Sequence, residues 1–161
     1  MNLLKYLKSL LSNNGSNIET RVKIESKIYH IRNGKIIATR KGTTFVNSGK
    51  SAVAGLINGV VTNYFEYIAI GTSSTAESAS QTALGSETHR ASATTSRITT
   101  NVSDDTAQWV HTFSFTSSYA ICESGIFDSS SGGTMLARAV FSTLNVESGD
   151  KLQVTWKAVV S

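Results

Sequence analysis

Residues 151–160 read KLQVTWKAVV, and their side chains alternate between polar and apolar. A period of two predicts a β-strand that turns one face to a core and the other to solvent. Residues 108–115, QWVHTFSF, alternate in the same way, with Trp109, His111, Phe113 and Phe115 on one face. Because turn sequences such as Ser148-Gly149-Asp150 bound these strands, the pattern predicts an all-β fold of the β-sandwich or jelly-roll class.

Further strands are predicted on both sides of these two. They fall at Phe65–Ile70, Arg97–Val102, Ala120–Asp128 and Met135–Phe141. Between the first two lies Gly71–Ser86, a long segment of small residues whose largest apolar side chain is Leu84. We expect this segment to be a loop.

A β-hairpin over residues 21–46 is the clearest upstream prediction. Arg21–Ile31 alternates, Asn33-Gly34 supplies the two positive φ angles of a type I′ turn, and Lys35–Val46 returns. In Ser48–Val60 the apolar residues recur at helical spacing instead, which predicts a short helix with Ser48 as its N-cap. The apolar face of this helix comprises Ala52, Val53, Leu56, Ile57 and Val60.

An amphipathic helix is also predicted at the start of the sequence, within Met1–Asn14. Its leucines form one stripe, with Lys5 and Lys8 away from it: Leu3, Leu4, Leu7, Leu10 and Leu11. A helix this short is marginal alone, so its leucines need a partner surface, on their own domain or on another chain. Ser12-Asn13-Asn14-Gly15-Ser16 predicts a helix stop and a linker, which favours the second.

The chain therefore divides into residues 1–16, the helix and linker, and residues 17–161, a β-sandwich domain. Within that domain we place the basic hairpin at 21–46, the helix at 48–60 and a C-terminal module at 64–161.

Charge is distributed unevenly between the two ends of the sequence. Residues 1–50 contain ten Lys or Arg against two Glu, whereas residues 51–161 contain five basic against nine acidic residues. This polarity suits a basic face that lies on an acidic partner, although a solvated hairpin face explains it equally well. The candidate anchoring residues are the leucine stripe together with Arg21, Lys23 and Lys27.

No catalytic or metal site is predicted. Asn47-Ser48-Gly49-Lys50-Ser51 ends like a phosphate-binding P-loop, but Thr44 stands where that motif requires Gly. Cys122-Glu123-Ser124-Gly125 is similar to a nucleophile elbow, which requires Gly at its first position. The three histidines are scattered, and the single cysteine excludes an intrachain disulfide. We therefore predict that the protein is not an enzyme and takes no cofactor.

Specific nucleic-acid contact and membrane insertion are not indicated either. The basic hairpin has Tyr29 as its only interleaved aromatic residue and no Arg-rich run, so it offers no platform for stacked bases. No apolar run approaches the roughly 18 residues that a membrane span requires.

Three stretches of the C-terminal module together resemble a known family. Residues 65–90 read FEYIAIGTSSTAESASQTALGSETHR, residues 120–141 read AICESGIFDSSSGGTMLARAVF, and residues 146–160 read VESGDKLQVTWKAVV. In order and spacing they resemble a module of structural proteins in tailed bacteriophages and related viruses, with Y-I-A-I-G-T-G, T-A-L-G-x-E, E-x-G-L-F-D, G-G-x-M-L-A-R and G-D-x-L-x-V-T-W. Ser73 and Ile126 depart from it by replacing Gly and Leu.

The resemblance implies a virion structural protein, made in the host cytoplasm and carried on the capsid surface or the tail. We expect a homo-oligomer, a trimer, whose partners are the major capsid protein or tail proteins of the same virus. A capsid decoration or cement protein is favoured, because a tail fibre usually needs a longer shaft. A tail or tail-fibre protein for host adsorption is the first alternative.

Two further expectations concern particular side chains. Glu123 and Arg138 lie on neighbouring predicted strands, and we predict a structural ion pair that sets strand register. A glycan-binding module is the alternative from another class, with Trp109, Tyr119 or Trp156 as stacking platforms, and a hydrolase is the third. Alternation favours core packing for both tryptophans.

Overall fold

The structure, a computed structural model, describes residues 20–161, which form two antiparallel β-sheets and one helix. The elements in chain order are β1 (Val22–Arg32), β2 (Lys35–Gly42), β3 (Thr44–Phe45), α1 (Asn47–Asn58), β4 (Tyr67–Gly71), β5 (Glu87–Ser92), β6 (Thr94–Ile98), β7 (Thr106–Ser114), β8 (Tyr119–Phe127), β9 (Met135–Val146) and β10 (Lys151–Val160). This all-β sandwich with a hairpin and one short helix confirms the predicted fold class. The predicted helix with the leucine stripe lies outside the described residues.

The strands form two sheets of five. Sheet I has the strand order β2-β1-β10-β7-β6, and sheet II has the order β3-β9-β8-β4-β5. In sheet I the strands β1 and β10 lie side by side, with Val22 opposite Val160 and Ile31 opposite Lys151. This pairing brings both ends of the described chain to the same end of the sandwich.

The core lies between the two sheets and follows the alternation of the sequence. Sheet I contributes fully buried side chains from β1 and β10, and sheet II contributes them from β4 and β8. They include Ile28, Leu152, Trp156, Ile68, Ile70, Ile121 and Ile126. Burying such side chains is the dominant favourable contribution to the free energy of folding.

The hairpin turn is confirmed, and the returning strand is shorter than predicted. Asn33 and Gly34 have φ angles of 51° and 75°, as a type I′ turn requires. A register shift opposite His30 and Ile31 leaves Ile37 as an extra residue in β2. After Gly42 the chain crosses to the other sheet, where Thr44 pairs with Arg138 of β9.

Two strand predictions need correction. The segment Arg97–Val102 remains extended only to Ile98, because the residues after it fold into a turn around Asp105. Strand β5 lies at the end of the predicted loop and was not predicted, since its sequence ETHRAS has no apolar alternation. It forms through backbone pairing with β4 at the edge of sheet II.

The helix α1 packs against β9 at its first turn. Ser48 is not the N-cap as predicted; Val46 occupies that position, and the Ser48 hydroxyl donates to the carbonyl of Met135 at 3.1 Å. Gly59, with φ at 77°, ends the helix in the left-handed conformation. The predicted apolar face of the helix is only partly covered, because Ala52 is buried while Ile57 is 82% exposed.

Candidate interaction surfaces

Glu123 and Arg138 form a fully buried ion pair between β8 and β9. The Nη2 and Nε atoms of Arg138 donate to Oε2 of Glu123 at 2.8 and 3.0 Å, and neither side chain has exposed surface. Charge-assisted hydrogen bonds of this length are strong, and the low dielectric of the interior strengthens them further. The two residues predicted to pair are thus brought into direct contact.

The ion pair also holds the loop between β4 and β5. The Glu123 carboxylate accepts hydrogen bonds from the backbone N–H groups of Ser73, Gly85 and Ser86 at 3.1, 2.9 and 2.7 Å. Arg138 Nη1 donates to the Thr75 carbonyl and to the Gln81 side chain. A loop of small polar residues therefore gains its order from a buried polar centre rather than from apolar burial.

Two glycines of the motif are required by this arrangement. A Cβ atom at Gly71 would lie 2.3 Å from the Ser86 carbonyl oxygen and 2.5 Å from Glu123 Oε1. A Cβ atom at Gly85 would lie 2.3 Å from Ser73 Oγ. The glycines let the backbone approach the carboxylate, so the motif residues have a structural role here.

A basic groove runs across the outer face of sheet I and has a volume of about 790 Å³. Among the described residues, Lys23, Lys27, Lys41 and Lys157 line it, against a single carboxylate from Glu25. Sheet pairing sets Lys27 directly opposite Lys41 on β2 and Lys157 opposite Glu25 on β1. This concentration of positive charge on one sheet face favours an anionic partner.

The groove also contains neutral polar side chains and one aromatic ring. Gln108, Gln153 and Thr155 line it from β7 and β10, and the ammonium of Lys27 lies 4.9 Å from the ring centroid of Tyr29. Amide and hydroxyl groups beside the ammonium groups can exchange hydrogen bonds with carboxylates and backbone groups of a partner.

Of the three predicted basic residues, the structure places two in the groove. Lys23 and Lys27 line the groove, whereas Arg21 precedes β1, where its backbone pairs with Ser161. Lys41 was not predicted as a site residue. The extra residue in β2 shifts the pairing so that Lys41, rather than Arg40, stands opposite Lys27. The sequence does not mark this bulge, so the position of Lys41 opposite Lys27 could not be predicted from it.

A second, apolar groove of about 360 Å³ lies at the end of the sandwich where residues 21 and 161 pair. Its lining comes from α1, from strands of both sheets and from the segments between them, and it includes Val22, Leu56, Tyr64, Trp109 and Val160. This groove is called the end groove below.

Acidic residues also line the end groove. Asp105 accepts hydrogen bonds from the backbone N–H groups of Val102, Asn101 and Thr100, and these hold its pKa well below its usual range. Asp104 precedes it with a positive φ of 60° and is exposed to solvent. Arg97 lines the groove as well, so its charged side chains are of both signs.

Another polar cluster links the hairpin to the turn before β10. The Asp150 carboxylate lies 2.7 Å from Nε2 of the buried His30 and accepts two hydrogen bonds from Arg32. The Arg32 hydrogen bonds are the main reason that the pKa of Asp150 lies well below its usual range, against the opposing effect of desolvation.

The aromatic residues considered as glycan platforms are largely buried or packed against other side chains. Trp156 has no exposed surface and donates to Ser124 Oγ, and Trp109 is 8% exposed and donates to the Phe65 carbonyl. Tyr119 is half-buried and packs edge-on against His89, with 4.9 Å between ring centroids. Neither tryptophan offers an open face to a sugar ring.

Within residues 20–161, no group of three or more His, Cys, Asp or Glu side chains is arranged to hold a metal ion. Cys122 is buried, and desolvation raises the pKa of its thiol. The described part of the chain has no helix with the length and apolarity needed to cross a membrane.

No protein-family model matches the chain, and neither a curated protein nor a solved structure matches it.

Proposed function

We propose that this protein is a non-enzymatic structural protein of a virus particle, attached to the capsid surface as a decoration or cement protein. The basic groove of sheet I is the surface that contacts an acidic face of the particle. The single observation that carries the proposal is the cluster of four lysines in that groove, with Lys27 set opposite Lys41.

Like charges directly opposite each other on paired strands destabilise a sheet. An acidic partner surface would offset this repulsion, because each ammonium would then face a carboxylate. Glu25 offsets only part of it, since its carboxylate lies 3.5 Å from Nζ of Lys23 on the same strand. The groove therefore has unbalanced positive charge available for a partner.

The chemistry of the groove favours a protein surface over nucleic acid. Among the described residues that line it, the positive charges are all lysines, which act as point charges, and no arginine is present to read a base edge. Tyr29 is the one aromatic residue in that part of the lining, and successive stacked bases need several. Lysines with glutamines and threonines suit the mixed acidic and polar surface of a protein.

The motif resemblance supports the choice of a virus particle. Four of its five elements meet around Glu123 and Arg138, where Gly71, Gly85 and the loop between them are held by the buried ion pair, and the fifth is joined to them by the hydrogen bond from Trp156 to Ser124. The stretches that carry the resemblance thus cooperate in one structural unit. A protein that binds only the assembled shell stabilises that shell by mass action, which is how a cement protein works.

Immunogold electron microscopy on the source particles tests the location. Label over the head is expected, whereas label confined to the tail would assign the protein to tail architecture or adsorption. Unlabelled particles, with an antibody shown to bind the native protein, would overturn the virion proposal.

A binding assay tests the basic groove. Purified protein is sedimented with particles assembled without it, and we expect the double variant Lys27→Glu/Lys41→Glu to bind at least about tenfold more weakly. Lys35→Glu/Lys50→Glu is the matched control with the same change in charge, because Lys35 and Lys50 are exposed lysines that do not line the groove. Equal loss in both variants would show that overall charge, rather than the groove, governs binding.

Self-association into trimers is part of the proposal. Sedimentation equilibrium of the full chain is expected to give three times the mass of 17.2 kDa. A monomer across the micromolar range would remove the trimer from the proposal and leave the attachment through the basic groove standing.

A further inference from the structure

The end groove leaves apolar surface uncovered at one end of the sandwich. Two large apolar side chains of its lining, Tyr64 and Val160, are 64% and 47% exposed. Val22, Val53 and Leu56 line it as well and are only half-buried. An apolar groove of this kind, rather than apolar side chains scattered singly, marks a surface that another element covers.

The apolar face of helix α1 is also partly uncovered. Its sequence has a continuous apolar face, but only the part near β9 is packed, and Ile57 is 82% exposed. An amphipathic helix gains its stability from burying that face. The outer half of the face therefore lacks a partner among the described residues.

The chain enters the described structure at the edge of this groove. Val22 and Val160 are paired across β1 and β10 and both line the groove, and Arg21 pairs with Ser161 beside them. The eight residues 12–19 can span at most about 28 Å when fully extended. The leucine stripe of residues 3–11 is thus tethered within reach of the groove.

The leucine stripe can supply the apolar side chains that fill the groove. It presents five leucines on one face, with Lys5 and Lys8 away from that face. Among the described residues, the groove lining is mainly apolar, with Arg97, Asp104 and Asp105 as its charged side chains. A helix with its leucines in the groove therefore leaves both lysines in solvent, where they incur no desolvation penalty.

We propose that residues 3–11 form an amphipathic helix that packs its leucines into the end groove of the same chain. A short tether gives the segment an effective concentration in the millimolar range, so its own groove outcompetes grooves on other copies in dilute solution. This inference rests on the groove and the sequence of the segment, and it holds whether or not the protein is part of a virus particle.

Disulfide trapping in the full chain tests the proposal. In a Cys122→Ala background, Leu7→Cys is combined with Val160→Cys at the groove and oxidised at low micromolar concentration. We expect an intramolecular disulfide, seen as a faster-migrating monomer on a non-reducing gel.

Leu7→Cys combined with Ile36→Cys is the matched control. Ile36 is 60% exposed against 47% for Val160, but it pairs with Ile31, about 30 Å along β1 from the groove. Trapping at Val160 is expected to be about tenfold faster than at Ile36. Equal rates would overturn the proposal, and disulfide-linked dimers as the main product would assign the groove to a second copy.

A measurement without cysteines provides an independent test. Leu7→Asp is expected to release the segment and raise the fluorescence of bound anilinonaphthalene sulfonate several-fold, because that dye binds exposed apolar surface. Ser9→Asp adds the same charge on the side of the helix opposite the leucines and is expected to leave the signal unchanged. Indistinguishable signals from wild type and Leu7→Asp would overturn the proposal.

Discussion

Nη2 of Arg138 lies 2.8 Å from Oε2 of Glu123, and both side chains are completely buried. The remaining acceptor capacity of the carboxylate is used by backbone N–H groups of the loop between β4 and β5, including those of Gly85 and Ser86. An ion pair with all its hydrogen bonds made can exist in a core, whereas either charge alone cannot. The pair therefore couples the order of the loop to the register of β8 and β9.

Removing the negative charge of Glu123 should lower the stability of the fold. Glu123→Gln leaves the Arg138 guanidinium buried without a counter-charge, and we expect a loss of about 3–5 kcal/mol in the free energy of unfolding. Urea denaturation followed by circular dichroism measures this loss, and limited proteolysis should cut the loop of residues 72–86 faster in the variant.

The control for this experiment is Glu147→Gln. The Glu147 carboxylate is 65% exposed and lies 3.4 Å from Arg32, so the loss expected from this surface pair is within about 1 kcal/mol. Similar losses in the two variants would show that burial of the Glu123–Arg138 pair is not what makes it important.

The packing of α1 on β9 gives a second prediction. Gly49→Ala would raise helix propensity by up to about 1 kcal/mol, but its Cβ atom would meet the Leu136 backbone at 2.2–2.8 Å. Backbone cannot move aside as a flexible side chain can, so we expect a net destabilisation of about 1–3 kcal/mol. Thermal unfolding measures the effect.

Ser51→Ala is the comparison for the helix. Ser51 is exposed on the same helix, so the substitution should keep the gain in propensity without a clash and stabilise by a few tenths of a kcal/mol. A stabilised Gly49→Ala variant would mean that α1 can shift away from β9 at little cost.

The alternation of apolar residues made most of the fold predictable. It is regular in β10, where half of the side chains enter the core, and in β7 it directs Trp109 and Phe113 into the core. The Asn33-Gly34 turn is specified by local backbone geometry. Strand β5 could not be predicted in this way, because its residues ETHRAS carry little apolar pattern and its pairing with β4 is made by the backbone. The crossing of β3 to sheet II likewise depends on a long-range partner, Arg138.

Only some residues of the candidate surfaces could be predicted, because apolar alternation reports local structure and not long-range packing. Alternation alone assigns Lys23 and Lys27 to one face of β1, and they line the basic groove. The position of Lys41 opposite Lys27 depends on the bulge in β2, and the end groove depends on how α1, β1 and β10 meet. Such features are set by tertiary packing, which a pattern of single residues does not encode.

The buried tryptophans predict a negative result with sugars. Because Trp156 and Trp109 are 0% and 8% exposed, titration with mono- and oligosaccharides should leave the tryptophan emission unchanged. Acrylamide should quench that emission weakly in the folded protein and strongly in urea. A saturable change of emission on adding a glycan would restore the glycan-binding module as a function.

Acid should destabilise the protein partly through Asp150. Its pKa in the folded state is depressed by hydrogen bonds from Arg32 and His30, so the unfolded chain binds the proton more readily. A depressed carboxyl pKa stabilises the fold fully above the unfolded value of about 3.9, and this stabilisation is lost as the pH falls below it.

Asp150→Asn should therefore lower stability at pH 7 and flatten its dependence on pH below about 4, as measured by urea denaturation across that range. The flattening should be partial, because Asp105 also has a depressed pKa and would keep its own contribution. Glu25→Gln is the control, since that carboxylate is 49% exposed and, within residues 20–161, forms an ion pair only with Lys23 on the same strand. An unaltered acid dependence in Asp150→Asn would show that the cluster of His30, Arg32 and Asp150 does not couple protonation to folding.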